Sequence, residues 1–353
     1  MRMKMSPSSA VSVGLAALVS ACGHGAAMGE PGTVPIDPIT YDALFVVNGT
    51  DSSITVIDTT TDEVRGTIEL LEVEYPHHIY LSADRATLLV AVPGLDLSGG
   101  HGGGGHGGHG GAPTGAVLAL EATTGALRLA QRLPSPNHNA VFAPDGRVWT
   151  SQISSPGRVL LLDPTTLATV DEVTVGDGPA EVTFAESGTH GFVANTDSDS
   201  VTILDAATGA VVETLPVGDA PVGAWPGTDG RMYVDNEAGK SISVIDPSTR
   251  SIVSTFALGF TPALAAIAPG GELWVTDTDG GKLVFFEAAT GTTRGELATG
   301  AGAHAIAFTA DGAKAYVSNQ AAGTVTAIDV ATKRVIKTIA VGSKPNGLVF
   351  RQN

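Results

Sequence analysis

Residues 316–345 read YVSNQAAGTVTAIDVATKRVIKTIAVGSKP, and this stretch contains the pattern that decides the fold. Three short runs, 316–319, 324–329 and 334–340, alternate in polarity or are rich in β-branched residues, and turn-forming residues separate them. Such runs predict β-strands, and no apolar pattern of helical spacing and length competes with them. The stretch is therefore predicted to form consecutive strands of one sheet.

The same unit recurs along the chain. An acidic residue ends a short apolar run in each of seven copies: Asp58, Glu121, Asp163, Asp205, Asp246, Glu287 and Asp329. Their spacing is 41 or 42 residues, except for 63 residues between the first two. An aromatic residue or leucine begins another run in each copy: Phe45, Leu89, Trp149, Phe192, Tyr233, Trp274 and Tyr316. Four short strands per period of about 40 residues predict the blades of a β-propeller.

The two ends of the chain share one unit. The first copy starts with strands equivalent to the second, third and fourth of a unit, at about 43–48, 53–58 and 63–69, and the chain ends with a first strand at 346–350. Pairing the last strand with the first three would remove two open sheet edges. We therefore expect an all-β, seven-bladed β-propeller over residues 42–353, with the terminal strands sharing one blade.

Several motifs resemble the YVTN β-propeller repeat family. They are YVSN at 316–319, MYVDN at 232–236, VTILD at 201–205 and VGSKP at 341–345, and the likeness extends over residues 42–350. The resemblance implies the fold, but it does not imply an activity, because propellers host many unrelated functions.

The N-terminus has the pattern of an export signal. Arg2 and Lys4 precede an apolar stretch at 10–21 that is too short to span a bilayer, so residues 1–21 are predicted to be a signal peptide. The stretch ends in VSAC at 19–22, which resembles the lipobox of bacterial lipoproteins and implies lipidation of Cys22. The alternative is an uncleaved helix with a stray cysteine.

This interpretation predicts the location of the protein. Residues 22–41 are rich in Gly and Pro and are expected to be a tether. Gly23 follows the cysteine, which implies attachment to the outer membrane if the source has two membranes. We expect an extracytoplasmic, membrane-anchored lipoprotein whose only contact with the membrane is its anchor, and a monomer.

Composition excludes several classes of function. The chain carries 19 Lys and Arg against 36 Asp and Glu, a net charge of −17, which argues against nucleic acid as a partner. A single cysteine excludes an internal disulfide and a thiolate zinc cluster. The sequence lacks G-x-S-x-G, H-E-x-x-H, S-x-x-K and phosphate-loop motifs, so the usual enzyme signatures are absent.

Histidines are concentrated where the inner strands should begin. The first residues of the predicted inner strands are His77, His138, Ala180, Val222, Ala263, His304 and Asn346. The three histidines fall in an arc of consecutive blades at the mouth of the channel, and His78 follows His77; we call His77, His78, His138 and His304 the rim histidines. The alternative is that they are repeat consensus residues that cap the strands.

An insertion of about nineteen residues accounts for the long second repeat. It occupies about 93–113, is rich in glycine and histidine, and carries His101, His106 and His109. Its position between two strands places it on the same face as the rim histidines, whereas His24 and His190 are expected in the tether and in a loop. Imidazole suits Zn(II) and Cu(II), although the tract could also be a neutral low-complexity expansion.

Three functions are compatible with these patterns. The first is a lipid-anchored binding protein in which the loop histidines capture Zn(II) or Cu(II) and the rim histidines hold it. The second is a cell-envelope scaffold that docks a protein partner without metal. The third is a metal-dependent hydrolase or lyase that activates water at the channel mouth. The sequence favours binding or scaffolding over catalysis and predicts no other cofactor.

Metal binding through histidine should depend on pH. A ligating imidazole must be neutral, so affinity is expected to fall as pH drops through about 6.5. Metal retention after dialysis, measured from about pH 7.5 to 5.5, checks this mechanism. Retention that stays flat over that window contradicts it.

Overall fold

Each predicted repeat of alternating apolar residues forms one antiparallel sheet in the computed structural model, which describes residues 29–98 and 114–353. The first strands are β1 (Gly32–Val34), β2 (Ala43–Asn48), β3 (Ser53–Asp58) and β4 (Glu63–Leu71). The next two groups of four are β5 (Ile79–Leu81), β6 (Thr87–Val92), β7 (Ala116–Glu121), β8 (Leu127–Arg132), β9 (Ala140–Phe142), β10 (Val148–Gln152), β11 (Gly157–Leu162) and β12 (Thr169–Val175).

Three further groups follow in the same order. Their strands are β13 (Pro179–Phe184), β14 (His190–Asn195), β15 (Ser200–Asp205), β16 (Val211–Pro216), β17 (Pro221–Pro226), β18 (Met232–Asn236), β19 (Ser241–Asp246), β20 (Ser251–Ala257), β21 (Pro262–Ile267), β22 (Glu272–Asp277), β23 (Lys282–Glu287) and β24 (Thr292–Ala298). The chain ends with β25 (Ala303–Phe308), β26 (Lys314–Asn319), β27 (Thr324–Asp329), β28 (Arg334–Ala340) and β29 (Pro345–Arg351). A single-turn 3₁₀ helix, Thr196–Ser198, follows β14.

These strands build a seven-bladed β-propeller, as predicted. Six blades contain four consecutive strands, and the seventh joins both ends of the chain in the order β1-β4-β3-β2-β29. The last strand runs antiparallel to β2, with Leu44 opposite Phe350 and Val46 opposite Leu348. The inner strands of successive blades contact one another around the central channel. The terminal strands therefore share one blade, and the ring is closed.

One strand was not predicted. β1 lies in the stretch expected to be a tether, and it pairs with the outer strand β4, with Gly32 opposite Leu71 and Val34 opposite Glu69. Ile39, between β1 and β2, is buried and its amide donates to the carbonyl of Thr123 in the next blade. The described part of this stretch thus packs against the propeller. Among the described residues, no helix is long and apolar enough to cross a membrane.

The recurring aromatic residues form the core between blades. The aromatic residue or leucine that recurs once in each of the seven repeats is buried in every copy. Trp149 of β10 packs edge-on against Phe184 of the next blade at a ring separation of 5.0 Å, and Trp274 packs in the same way against Phe308 at 5.4 Å. Apolar area buried between neighbouring sheets therefore holds the blades to one another.

The recurring acidic residues stabilise turns. A carboxylate oxygen of Asp163 accepts the amide and hydroxyl of Thr165 at 2.8 and 2.6 Å, and Asp246 accepts the corresponding groups of Ser248. These hydrogen bonds favour the ionised form and lower the pKa of Asp163. Such contacts satisfy the backbone at the turn before the outer strand.

Register irregularities recur at two places in the blades. A shift between the third and fourth strands occurs in all seven blades of the described chain. A second shift, between the first and second strands, spans the start of the inner strand, for example between Ala303 and Ile306 and between Pro179 and Val182. Bulges of this kind redirect side chains and increase strand twist.

Deleting residues 346–353 should destabilise the whole domain. The truncation removes the strand that covers β2 and bridges the first and last blades, so two sheet edges would open. Thermal unfolding followed by circular dichroism should show a broad or absent transition. A cooperative melt close to that of the full chain would contradict this role of β29.

Candidate metal centre at the channel mouth

The four rim histidines come together at one end of the channel. The ring centroids of His77 and His78 are 4.4 Å apart, and His138 lies 4.7 Å from His77 and 5.0 Å from His78. His304 stands 5.5 Å from His77. One ligand nitrogen from each of His77, His78 and His138 lies within 4.8 Å of the others, and these three side chains are buried. Ring closure thus brings together residues from distant parts of the sequence.

The local backbone explains why adjacent histidines face the same way. Residues alternate between the two faces of a regular strand, but here Ala91 pairs with both His77 and His78, as at a β-bulge. In the second blade the amide of His77 donates to the carbonyl of Ala91, and the amide of Ala91 donates to the carbonyl of His78. The closing strand adds a third bond, from the amide of Gly347 to the carbonyl of His77 at 2.8 Å.

A buried glutamate connects the cluster to a further blade. Glu181 of β13 is fully buried, and its Oε1 lies 2.8 Å from Nε2 of His78 and 2.9 Å from Nδ1 of His138. Its other oxygen, Oε2, accepts the hydroxyl of Tyr80 at 3.0 Å. A buried carboxylate is tolerated only when such donors replace water. Three side chains from two other blades provide them here.

These contacts determine the ionisation of the buried groups. Burial alone would raise the pKa of Glu181, but the attraction of His78 and the hydrogen bonds from His138 and His78 outweigh it and hold that pKa well below its usual range. Burial raises the pKa of the Tyr80 hydroxyl, and the nearby charge of Glu181 adds to the effect. These contacts favour the ionised form of Glu181 and the neutral form of Tyr80.

Asn139 fixes the spacing of the blades that carry His138 and Glu181. Its Nδ2 donates to the carbonyl of Val182 at 2.7 Å, and its Oδ1 accepts the amide of Val182 at 3.0 Å. The side-chain amide thus forms the pair of hydrogen bonds that a backbone residue would form between two neighbouring strands. This pair of bonds holds the carboxylate of Glu181 beside the ring of His138.

A small pocket of about 40 Å³ lies at the cluster. This volume exceeds that of one water molecule. It is lined by His78, Leu97, Ser98, His138, Glu181, Val222, Trp225, Glu237, Pro262, Ala263, Thr278, His304 and Gln320. Leu97 and Ser98 belong to the first part of the insertion and are its last described residues before the gap at 99–113. Lys344 contacts both Asp96 and Ser98, so the start of the insertion is held against the mouth.

A second buried acid lies beside this pocket. Oδ1 of Asp235 accepts the indole N–H of Trp225 at 2.6 Å, whereas its Oδ2 is buried with no hydrogen-bond partner among the described residues. Gly223 leaves room for the indole, because a Cβ there would lie 2.4 Å from two of its ring carbons. Burial raises the pKa of Asp235 well above its usual value, and the charges of Glu237 and Glu181 add to the rise.

The structure places the predicted candidates unevenly. It brings the four rim histidines together, and it shows His190 as the first residue of β14 instead of in a loop. The loop candidates His101, His106 and His109 and the lipidation candidate Cys22 lie outside the described residues. Glu181, Tyr80 and Asp235 were not predicted from the sequence. Two of them could have been found in the sequence, because Glu181 and Asp235 are acidic at positions where other repeats have a different kind of residue. For example, Ser318 occupies the position equivalent to Asp235.

Replacing Asp235 with Asn should stabilise the protein at neutral pH. The folded state raises the pKa of this carboxyl, so stability falls as pH rises above the unfolded pKa of about 3.9 toward the folded one. An amide carries no such cost, and the gain at pH 7 should be about 1–3 kcal/mol. Urea unfolding at pH 7 and pH 4 measures it, with exposed Asp219→Asn as control. A gain that is equal at both pH values would contradict the assignment.

Comparison with known proteins shows the fold and little more. A family model described as outer membrane protein assembly factor BamB matches residues 50–224, just under half of the chain. No curated protein matches the sequence. The matching model differs from the YVTN repeats that the motifs resembled. The coordinates establish a seven-bladed propeller, and the YVTN likeness remains one of motifs.

Solved structures resemble the chain at low sequence identity. The periplasmic gluconolactonase PpgL of Pseudomonas aeruginosa is 19% identical with a TM-score of 0.69, and the match covers 88% of this chain and 98% of that one. A putative 6-phosphogluconolactonase from Bacteroides fragilis is 17% identical with a TM-score of 0.68, over 90% and 100%. The dihydro-haem d1 dehydrogenase NirN is 15% identical with a TM-score of 0.62, over 90% and 79%. At these identities the likeness is one of fold alone.

Proposed function

We propose that this protein is an extracytoplasmic β-propeller that binds one divalent transition-metal ion, Zn(II) or Cu(II), through the rim histidines. The observation that supports the proposal most directly is the convergence of His77, His78 and His138, whose ligand nitrogens lie within 4.8 Å of one another. Three imidazoles with no thiolate suit these metals. Zinc requires nitrogens at about 2.0–2.1 Å, so the rings would close in on the ion.

The other blades argue against a purely structural role for the rim histidines. At the same position they carry Ala180, Val222, Ala263 and Asn346. Inner strands with these residues form as well as those that start with histidine. Capping of the strand therefore does not require an imidazole. The blades with histidine or Asn346 are consecutive, which is the arrangement that a shared ligand needs.

Two further features support capture of an ion from outside the cell. The net charge of −17 attracts cations to the protein. The insertion carrying His101, His106 and His109 starts at the pocket, where Leu97 and Ser98 form part of the lining. In this proposal the loop histidines bind the ion weakly and raise its local concentration, and the rim histidines hold it.

The proposal includes the predicted location. The signal pattern at residues 1–21 and the lipobox-like 19–22 support export and a lipid anchor at Cys22. The partial match to the BamB family model is compatible with a place in the cell envelope.

Metal analysis of the full chain tests the function. After chelator dialysis and reloading with Zn(II) or Cu(II), elemental mass spectrometry should find one tightly held ion per chain. The double variant His77→Ala/His138→Ala should lose at least about 10–100-fold in affinity, the range seen when even outer partners of a ligand are removed. His190→Ala, at the opposite face, is the matched control.

Deleting residues 99–111 separates the two histidine groups. We expect the tight ion to remain and the weakly bound ions to be lost. If the double variant His77→Ala/His138→Ala bound metal with wild-type affinity, the rim site would be contradicted. If deleting residues 99–111 abolished tight binding, the tight site would be assigned to the insertion instead.

A second candidate is a metal-independent scaffold of the cell envelope, which the partial BamB match favours. In this alternative the face that carries the channel mouth would dock a protein partner. Partner binding that survives both chelation and loop deletion would support the scaffold and contradict metal capture.

A further inference from the structure

We propose that Glu181 is a positioning residue of the metal centre, which fixes the protons of His78 and His138 and so selects the nitrogens that bind the ion. This inference rests on the proposed function. It assigns His78 Nδ1 and His138 Nε2 as ligand atoms. A neutral imidazole has one N–H and one lone pair, and the N–H faces an acceptor when one is present.

The contacts of Glu181 define this choice. Its Oε1 lies within hydrogen-bond distance of His78 Nε2 at 2.8 Å and of His138 Nδ1 at 2.9 Å. A carboxylate oxygen at these distances accepts a hydrogen bond, so we assign hydrogen to both nitrogens. The lone pairs of the neutral rings then belong to Nδ1 of His78 and Nε2 of His138. Metal-ligating histidines are commonly oriented in this way, by a carboxylate on the other ring nitrogen.

Gly347 of β29 lies beside the assigned nitrogen of His78. A Cβ built on Gly347 of β29 would lie 3.1 Å from His78 Nδ1, so the absence of a side chain there keeps this edge of the ring clear. The same glycine lets β29 approach the backbone of His77 and His78 closely. Gly347 therefore allows β29 to close the ring and also to pack directly against His77 and His78.

Glu181 has no evident task in building its blade. The corresponding positions of the other inner strands hold His78, Asn139, Gly223, Leu264, Ala305 and Gly347. These strands form without an acid, and a buried charge is costly unless it is paired. The three donors around Glu181 come from the second and third blades, which also supply three of the four rim histidines. The presence of Glu181 is therefore explained by its contacts with the histidines and not by the requirements of the repeat.

The protonation state can be read without any metal. In the metal-free full chain labelled with ¹⁵N-histidine, long-range ¹H–¹⁵N spectra distinguish the two tautomers, and single His78→Ala and His138→Ala variants assign the signals. We expect hydrogen on Nε2 of His78 and on Nδ1 of His138. Hydrogen on the opposite nitrogen of either neutral ring would overturn the proposal.

Substitutions then test the effect on the ion. Glu181→Ala should weaken Zn(II) binding by about 10–100-fold and release the two tautomers. Glu181→Gln keeps an acceptor oxygen without the charge, so its loss should be smaller. Tyr80→Phe is the matched control, because it removes the contact to Oε2 alone and should leave both tautomers unchanged.

The outcomes separate this inference from the function on which it rests. Equal Zn(II) affinity in Glu181→Ala and Tyr80→Phe, with a wild-type chain that binds zinc, would overturn the role of Glu181 and leave the metal site standing. A wild-type chain that binds neither Zn(II) nor Cu(II) would contradict the proposed function. The tautomer spectra of wild-type protein decide the orientation even if Glu181→Ala fails to fold.

Discussion

The pairing of β29 with β2 is the constraint on which the rest of the structure depends. Seven sheets packed side by side through aromatic and aliphatic residues would form an open arc unless the last met the first. β29 closes the ring by pairing with β2. The amide of Gly347 in this strand also donates to the carbonyl of His77 in the following blade. The mouth cluster depends on this closure, because His304 and His77 lie on either side of the strand that completes the ring.

Much of the fold could be predicted because it repeats. Seven occurrences of the same strand pattern, an acidic turn residue and an aromatic core residue reinforce one another, and the shared blade follows from where the first and last copies are cut. β1 could not be predicted in this way. Its three residues match no repeat, and it is fixed by contacts with an outer strand that only the assembled blade offers.

The repeat also made the rim histidines predictable, but not the buried acids beside them. His77, His138 and His304 occupy one column of the repeat, so the topology alone brings them near one another. Glu181 stands one residue further along, on an inner strand that has no histidine, and its significance depends on the bulge that turns it toward the rings. Residues that break a repeat carry information that the repeat itself cannot supply. Glu181 and Asp235 are such residues, and both are buried polar groups near the mouth.

The register shift before every outer strand bears on solubility. An outer strand exposes unpaired backbone groups, and several here also expose apolar side chains, including Val170, Val211 and Val253. A flat strand of this kind could join the edge of another molecule and start a continuous sheet. The extra residue twists the fourth strand of each blade and interrupts its ladder, which shortens the length over which two propellers could align their rims. Seven repetitions of one irregularity thus help to keep a disk with many edges from stacking rim to rim.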